Sequence, residues 1–503
     1  MNRLSSYLPI ALLVLSGASA TAQSDHRMTL ENLRNLRLPE VTLDSVVSVT
    51  PDKDSHEASH VKVDGTIGGS IRFELLLPDN WNGRFVMGGG GGFVGTVQNS
   101  AGYVVNLGYA TVGTDTGHEW QPGYSGAWAY TNLEAQVNFG YLAVHRTAEV
   151  AKALIASYYG ADAKYSYFTG CSRGGGQALM EAQRFPNDFD GIVSGAPAFN
   201  WTGFAAMSVH IAQTLYPNPT DLEHPALDTD ALQKLQHAII EQCDEQDGLK
   251  DGVIQDPPSA HFDLAKVSGL TDAQRKDIEA IYHGAHSGEN LIYPGYTPGS
   301  ECDAKEWTLW IVGPAHLDPQ VHSADLMFAF ATQVWKYLIF NDPDWDYSTY
   351  KLSNFAKDTR LAASYLNATN PDLDALKAHH GKLIIWHGWA DQALPAQATV
   401  DYYRQVQAHD AGADQYCRLF MVPGCLHCGG GPGASDVDWL SAIVNWVEHQ
   451  QSPDRLVASK REDEKTTVTR PIFPFPQVAF YKGSGDPNKA ESFEAKLPGE
   501  RGH

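Results

Sequence analysis

The sequence predicts an α/β fold: a doubly wound, mostly parallel sheet carrying a large inserted lid. Three observations predict it. Short apolar, strand-like runs alternate with longer stretches of helical rhythm, the alternation breaks off near Asn200, and it resumes near Lys382. At 503 residues the chain also exceeds the roughly 250 to 300 residues at which single cores stop growing.

Taken in order, residues 41–49 and 71–77 read as strands, with turn chemistry at Pro78-Asp79-Asn80. Residues 84–87 form a strand running into the glycines 88–92, and 109–113 form another. A helical apolar rhythm covers 132–159, followed by strand 165–169, helix 174–184 and strand 191–194. The block 201–380 is aromatic and irregular, with Trp307, Trp310, Trp335 and Trp345 and a turn-rich stretch at 293–300. Strand 382–386, helix 396–408, strand 419–422 and helix 437–450 then complete the pattern. A sheet interrupted and resumed places the middle block as a lid over the strand ends. The expected units are therefore a signal segment at 1–22, a main domain from 23–200 and 381–503, and a lid at 201–380.

The signal reading rests on Arg3, the short apolar run 9–15, and the small-residue sites Ala18-Ser19-Ala20 or Ala20-Thr21-Ala22. Export to the periplasm or the medium follows. The run is too short to span a bilayer, so no membrane partner is expected of the mature chain. A net charge of -23 disfavours nucleic acid, because phosphate binding needs clustered Lys and Arg that this chain lacks. Six cysteines in an exported chain favour disulfides over free thiols, but six allow 15 pairings.

The strongest local signal is Gly170-Cys171-Ser172-Arg173-Gly174, a G-x-S-x-G pattern between a strand and a helix. A serine at such an elbow projects its hydroxyl into the cleft, with the helix N-terminus aimed at developing negative charge. A hydroxyl needs a base, and the base an orienting carboxylate. In α/β-hydrolases the chain order is serine, acid, histidine, the last two in loops just after strands. Asp391 follows such a strand, and so does His427. Asp401 reads as a solvated helix residue, Asp414 as a turn residue, and His387 as a packed or hydrogen-bonded loop residue. His118 could approach the cleft but precedes the serine.

Cys171 immediately precedes the candidate nucleophile and Cys428 immediately follows the candidate base. A bridge between them would bring their Cα atoms to about 4.4–6.8 Å and hold Ser172 beside His427. An oxyanion would be held by the backbone N–H of Arg173 and by one from the glycine run, either Gly91 or Gly92. The segment from Cys243 to Val253 places Asp244, Asp247 and Asp251 at intervals of three and four with glycines between. That spacing offers hard oxygen ligands, and no thiol or imidazole lies among them.

Together these motifs resemble the tannase and feruloyl esterase family over nearly all of the mature chain. The markers are Gly88 through Gly95, Gly170-Cys171-Ser172-Arg173-Gly174-Gly175, the Cys243 to Val253 loop, His387-Gly388-Trp389-Ala390-Asp391, and Val422-Pro423-Gly424-Cys425-Leu426-His427-Cys428. The resemblance implies an α/β-hydrolase domain with an inserted lid, a Ser172–His427–Asp391 triad and a Cys171–Cys428 disulfide. It also implies structural Ca2+ in the lid, held by the side chains of Asp244, Asp247 and Asp251 and the carbonyls of Leu249 and Val253, with no organic cofactor. The implied activity is hydrolysis of galloyl, hydroxycinnamoyl or terephthaloyl monoesters through an acyl-enzyme, so the expected partner is a small aromatic ester. Bridges Cys243–Cys302 and Cys417–Cys425 are further expectations, the second requiring the chain to fold back on itself. A secreted serine peptidase, or a non-catalytic calcium-dependent binding protein, would carry several of the same features.

Overall fold

The computed structural model describes residues 27–51, 57–302, 304–313, 323–463 and 465–498. The expected signal segment lies outside them. Nine strands form the central sheet: β1 (Val41–Val49), β2 (His60–Ile67), β3 (Ile71–Pro78), β4 (Arg84–Gly88), β5 (Ala110–Thr114), β6 (Tyr165–Cys171), β7 (Gly191–Gly195), β8 (Lys382–Gly388) and β9 (Cys417–Val422). They lie in the order β1-β2-β3-β5-β4-β6-β7-β8-β9. The first three run as an antiparallel meander joined to β5. From β5 onward every pairing is parallel.

Both faces of the parallel strands are buried, which explains why they read as continuous apolar runs. Alternation places Phe85, Met87, Phe168, Ile192, Leu383 and Leu419 in one apolar cluster. The neighbouring residues Val86, Tyr167, Val193, Ile384 and Phe420 belong to a second. Helices cover each: α1 (Ala143–Tyr159) packs on the first face, and a helix spanning Trp439–His449 on the second. This is the doubly wound α/β arrangement expected from the alternating pattern.

The expected 132–159 helix is one rod in three parts: Leu133–Val137, a π turn at Asn138–Leu142, and α1. The turn leaves carbonyls for an outside donor, and one arrives from Arg173, just past the end of β6. Between β7 and β8 lie α2 (Trp201–Leu215), α3 (Thr229–Cys243) and α4 (Leu326–Gln333), with a small hairpin of Ala285–Ser287 and Asn290–Tyr293. After the last sheet helix come two antiparallel pairs that periodicity did not indicate, Leu456–Glu462 with Lys465–Ile472 and Val478–Tyr481 with Phe493–Lys496. Among the described residues no helix is long and apolar enough to cross a membrane.

Candidate active site

β6 ends at Cys171 and a helix begins at Arg173, leaving Ser172 alone in the turn at φ 62° and ψ −122°. That strained backbone is tolerated because the elbow is tightly packed. A Cβ on Gly170 would lie 2.6 Å from the carbonyl carbon of Gly174, so only glycine fits beneath the turn. The Ser172 N–H donates to Gly195 O at the end of β7 (3.0 Å), tying the elbow to the neighbouring strand.

Ser172 Oγ lies 2.8 Å from His427 Nε2, and His427 Nδ1 lies 2.7 Å from Asp391 Oδ2. A carboxylate only accepts, so Nδ1 carries the imidazole proton and Nε2 is left to accept from the serine hydroxyl. The Asp391 carboxylate is fully buried; its Oδ1 accepts the N–H groups of Ala393 (2.8 Å) and Leu394 (2.9 Å). Burial pushes this carboxyl up, but the charge and hydrogen bonds of His427 and His387 outweigh it and hold the group well below the usual carboxylate range. Three residues distant in sequence thus form one hydrogen-bonded line.

The Cys171–Cys428 disulfide is present, its Cα atoms 5.8 Å apart. It fastens the residue before the serine to the residue after the histidine across 257 positions of chain. The other two expected bridges are not. Cys417 opens β9 and Cys425 follows its end, and a six-residue extended strand of about 3.3 Å per residue keeps them apart. Cys417 is a buried thiol, and the Cys425 thiol donates to Leu426 O at 3.3 Å. Cys243 is likewise a thiol, packed at the buried end of α3, with burial pushing it up to about 11.

His387 is not a bystander. Its Nε2–H donates to the same Asp391 Oδ2 at 3.0 Å, within 3.2 Å of Leu394 O as well, while Nδ1 faces Thr399 Oγ1 at 2.8 Å. The readable signal was its position four residues before Asp391, where the strand end turns back on itself. Asp401 accepts from Gln397 on the helix Gln397–His409, Asp414 lies in a turn, and neither enters the relay. His118 stacks on Trp128 (centroids 3.7 Å) and reaches Phe93 O at 3.3 Å, apart from the relay.

A cavity of about 360 Å³ opens over Ser172 and His427. Its walls are aromatic, among them Phe93, Trp201, Phe204, Trp310 and Phe330. Of the four tryptophans singled out in the middle block, only Trp310 lines it, lying edge-on to His427 at 5.5 Å. Trp307 is sealed in the core, and Trp335 stacks on Trp345. Of the two glycine donors expected, the Gly91 N–H is already taken by Gln98 Oε1 at 2.7 Å. Gly92, at φ 56°, also lines the cavity.

In the acidic loop a 3-10 turn, Asp244–Asp247, ends at Gly248 in the left-handed conformation (φ 92°), bringing three carboxylates to one loop. Asp244 Oδ1 accepts from the N–H groups of Asp251 (3.2 Å) and Gly252 (2.9 Å), and Asp251 Oδ2 pairs with Arg470 at 2.7 Å. Burial, with the like charges of Asp251 and Asp244 adding to it, pushes Asp247 up to about 7. All-oxygen donors are the chemistry a hard divalent cation takes, although the Asp244, Asp247 and Asp251 carboxylates are not drawn together within 4.8 Å of one another.

Residues 57–496 match the model of the tannase and feruloyl esterase family. A probable feruloyl esterase of Arthroderma benhamiae is 31% identical, covering 97% of each chain. The mono(2-hydroxyethyl) terephthalate hydrolase of Piscinibacter sakaiensis is 30% identical over 85% of this chain and 82% of its own. In three dimensions the crystal structure of feruloyl esterase B from Aspergillus oryzae superposes with a TM-score of 0.80 at 26% identity, over 93% of this chain and all of that one. The strand–turn–helix elbow at Ser172, the α/β sheet and these likenesses agree: the chain belongs to the tannase and feruloyl esterase family and is a carboxylic ester hydrolase of α/β-hydrolase fold.

Proposed function

We propose that the enzyme hydrolyses esters of aromatic acids through a serine acyl-enzyme, with Ser172, His427 and Asp391 as the triad. The observation that carries this reading is the unbroken hydrogen-bonded line from Ser172 Oγ to Asp391 Oδ2, opening into an aromatic-walled cavity. Ser172 attacks the ester carbonyl as His427 Nε2 takes its proton; Asp391 fixes the tautomer and offsets the imidazolium charge. The N–H of Arg173, first in its helix, and that of Gly92 hold the oxyanion, each such donor contributing about 2.7–4 kcal/mol. His427 returns the proton to the departing alcohol, and water attacking the acyl-enzyme from the same side releases the acid.

Export is supported by the charged start and short apolar run at residues 1–22, and by a disulfide that an oxidising compartment would keep. Calcium in the Asp244–Val253 loop is supported by its donor chemistry. It would be held by Asp244, Asp247 and Asp251 and by the carbonyls of Leu249 and Val253, and would supply cross-linking of the loop, not chemistry at the ester.

The test of the mechanism pairs Ser172→Ala with labelling by a fluorophosphonate. Galloyl, feruloyl and terephthaloyl monoesters are the substrates. Wild type is expected to label at Ser172 and to turn over at least one ester. A well-folded Ser172→Ala that hydrolyses that ester at the wild-type rate overturns the reading.

A further inference from the structure

Five consecutive glycines, Gly88 to Gly92, run from the end of β4 across the elbow. Such a run has more conformational freedom than any other stretch of its length, yet an oxyanion donor works only if it is fixed before the charge develops. The run has no side chains of its own, so what fixes it comes from outside. A Cβ on Gly89 would lie 2.7 Å from Gly174 Cα, so the loop lies directly on the elbow. Packing of that kind sets where the loop sits, and hydrogen bonds set which way each N–H faces.

Three of those N–H groups are taken in order. Gly89 donates to Thr169 O on β6 (2.9 Å), Gly90 to Gln177 Oε1 (3.1 Å) and Gly91 to Gln98 Oε1 (2.7 Å). The Gly92 N–H comes next and has no partner among the described residues. Gln177 is 2% exposed and belongs to the helix Arg173–Arg184, so it registers the loop against the helix that begins at the elbow. Gln98 is anchored elsewhere. Its own N–H donates to Thr114 O at the end of β5 (3.2 Å), and its Nε2 donates to Thr96 Oγ1 (3.4 Å). That anchorage needs a glycine on β5, since a Cβ on Gly113 would lie 2.2 Å from Gln98 O.

We propose that Gln98 is a positioning residue for the oxyanion hole: by holding the Gly91 N–H it fixes the peptide that follows and leaves the Gly92 N–H for the charged oxygen. This rests on the serine-esterase reading of the cavity, which Gln98, Gly92 and Ser172 all line, and deepens it. Two glutamines from separate elements clamp adjacent peptides, one from the elbow helix and one from beside β5. Without Gln98 Oε1 the Gly91 N–H is released to water and the glycine chain regains its freedom, so the Gly92 donor has to be ordered anew in every transition state.

The experiment compares wild type with Gln98→Met, which keeps length but removes the amide oxygen. It measures kcat and KM on whichever galloyl, feruloyl or terephthaloyl monoester wild type turns over, and Ki for phenylboronic acid. The boronic acid reports on the oxyanion hole: the Ser172 oxygen bonds to boron, the hydroxyl proton passes to His427, and the boron becomes a tetrahedral anion. Removing one oxyanion donor outright costs about a hundred- to a thousandfold in kcat, so loosening one is expected to cost about ten- to a hundredfold. Ki should rise by a similar factor while KM stays within about twofold, a split that loss of general packing would not produce. Unchanged kcat and Ki in a folded Gln98→Met, or a raised KM at unchanged kcat, overturns the proposal. Hydrogen exchange on wild type tests it without a variant: the Gly91 amide is expected to exchange about a hundredfold or more slowly than a free peptide amide, and exchange at the free rate overturns the proposal. If wild type neither binds the boronic acid nor hydrolyses any of the esters, the serine-esterase reading falls; if it does both and Gln98→Met matches it, only the role of Gln98 falls.

Discussion

His387 and His427 share one oxygen: Oδ2 of Asp391 lies 3.0 Å from His387 Nε2 and 2.7 Å from His427 Nδ1. On the proposed mechanism His387 would be a positioning residue, acting on His427 through Asp391. Replacing it by leucine removes a hydrogen bond to a buried charge, about 1.5–3 kcal/mol, and kcat is expected to fall about ten- to a hundredfold. A carboxylate relieved of one donor pulls harder on the His427 proton, so the acid limb of the kcat/KM profile should move to higher pH. His387→Gln, which restores an N–H, should bring it back. An unmoved acid limb in His387→Leu would assign His387 to packing alone.

The disulfide is expected to serve both stability and chemistry. Cys171→Ala with Cys428→Ala opens a closed loop of 257 positions, with an expected loss of about 2–5 kcal/mol in urea unfolding. Because the bridge flanks Ser172 and His427, kcat should drop with it. Loss of stability at full kcat would restrict the bridge to bracing.

Acid stability should carry the mark of His118. Burial holds this imidazole down to about 4, against about 6.5 when unfolded. Between those values the unfolded chain binds a proton that the folded chain refuses. The neutral ring's contribution is therefore complete above about 6.5 and lost as pH falls towards 4, about 3 kcal/mol over the window. His118→Phe keeps the stack on Trp128 and removes the titration. Its unfolding midpoint should fall less steeply from pH 7 to 4.5 than that of wild type; parallel slopes would refute the assignment.

Calcium is expected to raise the thermal midpoint of chelator-treated protein, since a ligand at a hundred times its Kd adds about 2.7 kcal/mol. Asp247→Asn should abolish the rise while leaving the fluorophosphonate reaction at Ser172 intact. An equal rise in wild type and variant would place the ion elsewhere.

The parallel strands, the elbow and the places of Asp391 and His427 after strand ends were legible because each has a local cause. Parallel strands buried on both faces read as apolar runs, the elbow demands glycine, and Asp391 and His427 follow strand ends. What the sequence hid depends on distance in space. β2 pairs on both sides yet has a mixed composition, and the bond from His387 to Asp391 depends on how the chain turns after β8. The Cys417–Cys425 pairing failed because adjacency along a chain becomes separation along a strand.

The cavity draws on two different stretches of chain. Strand ends and their loops supply Ser172, Asp391 and His427, whereas Trp201, Phe204, Trp310 and Phe330 all arise between β7 and β8. Mutation can therefore redraw which acids are accepted without disturbing the reaction, as one key-cutter refits a lock while keeping its bolt. The two inheritances meet, beside contacts such as Tyr296 Oη donating to Gln392 O, where Trp310 stands edge-on to His427. That contact is where a change of diet would first be felt by the chemistry.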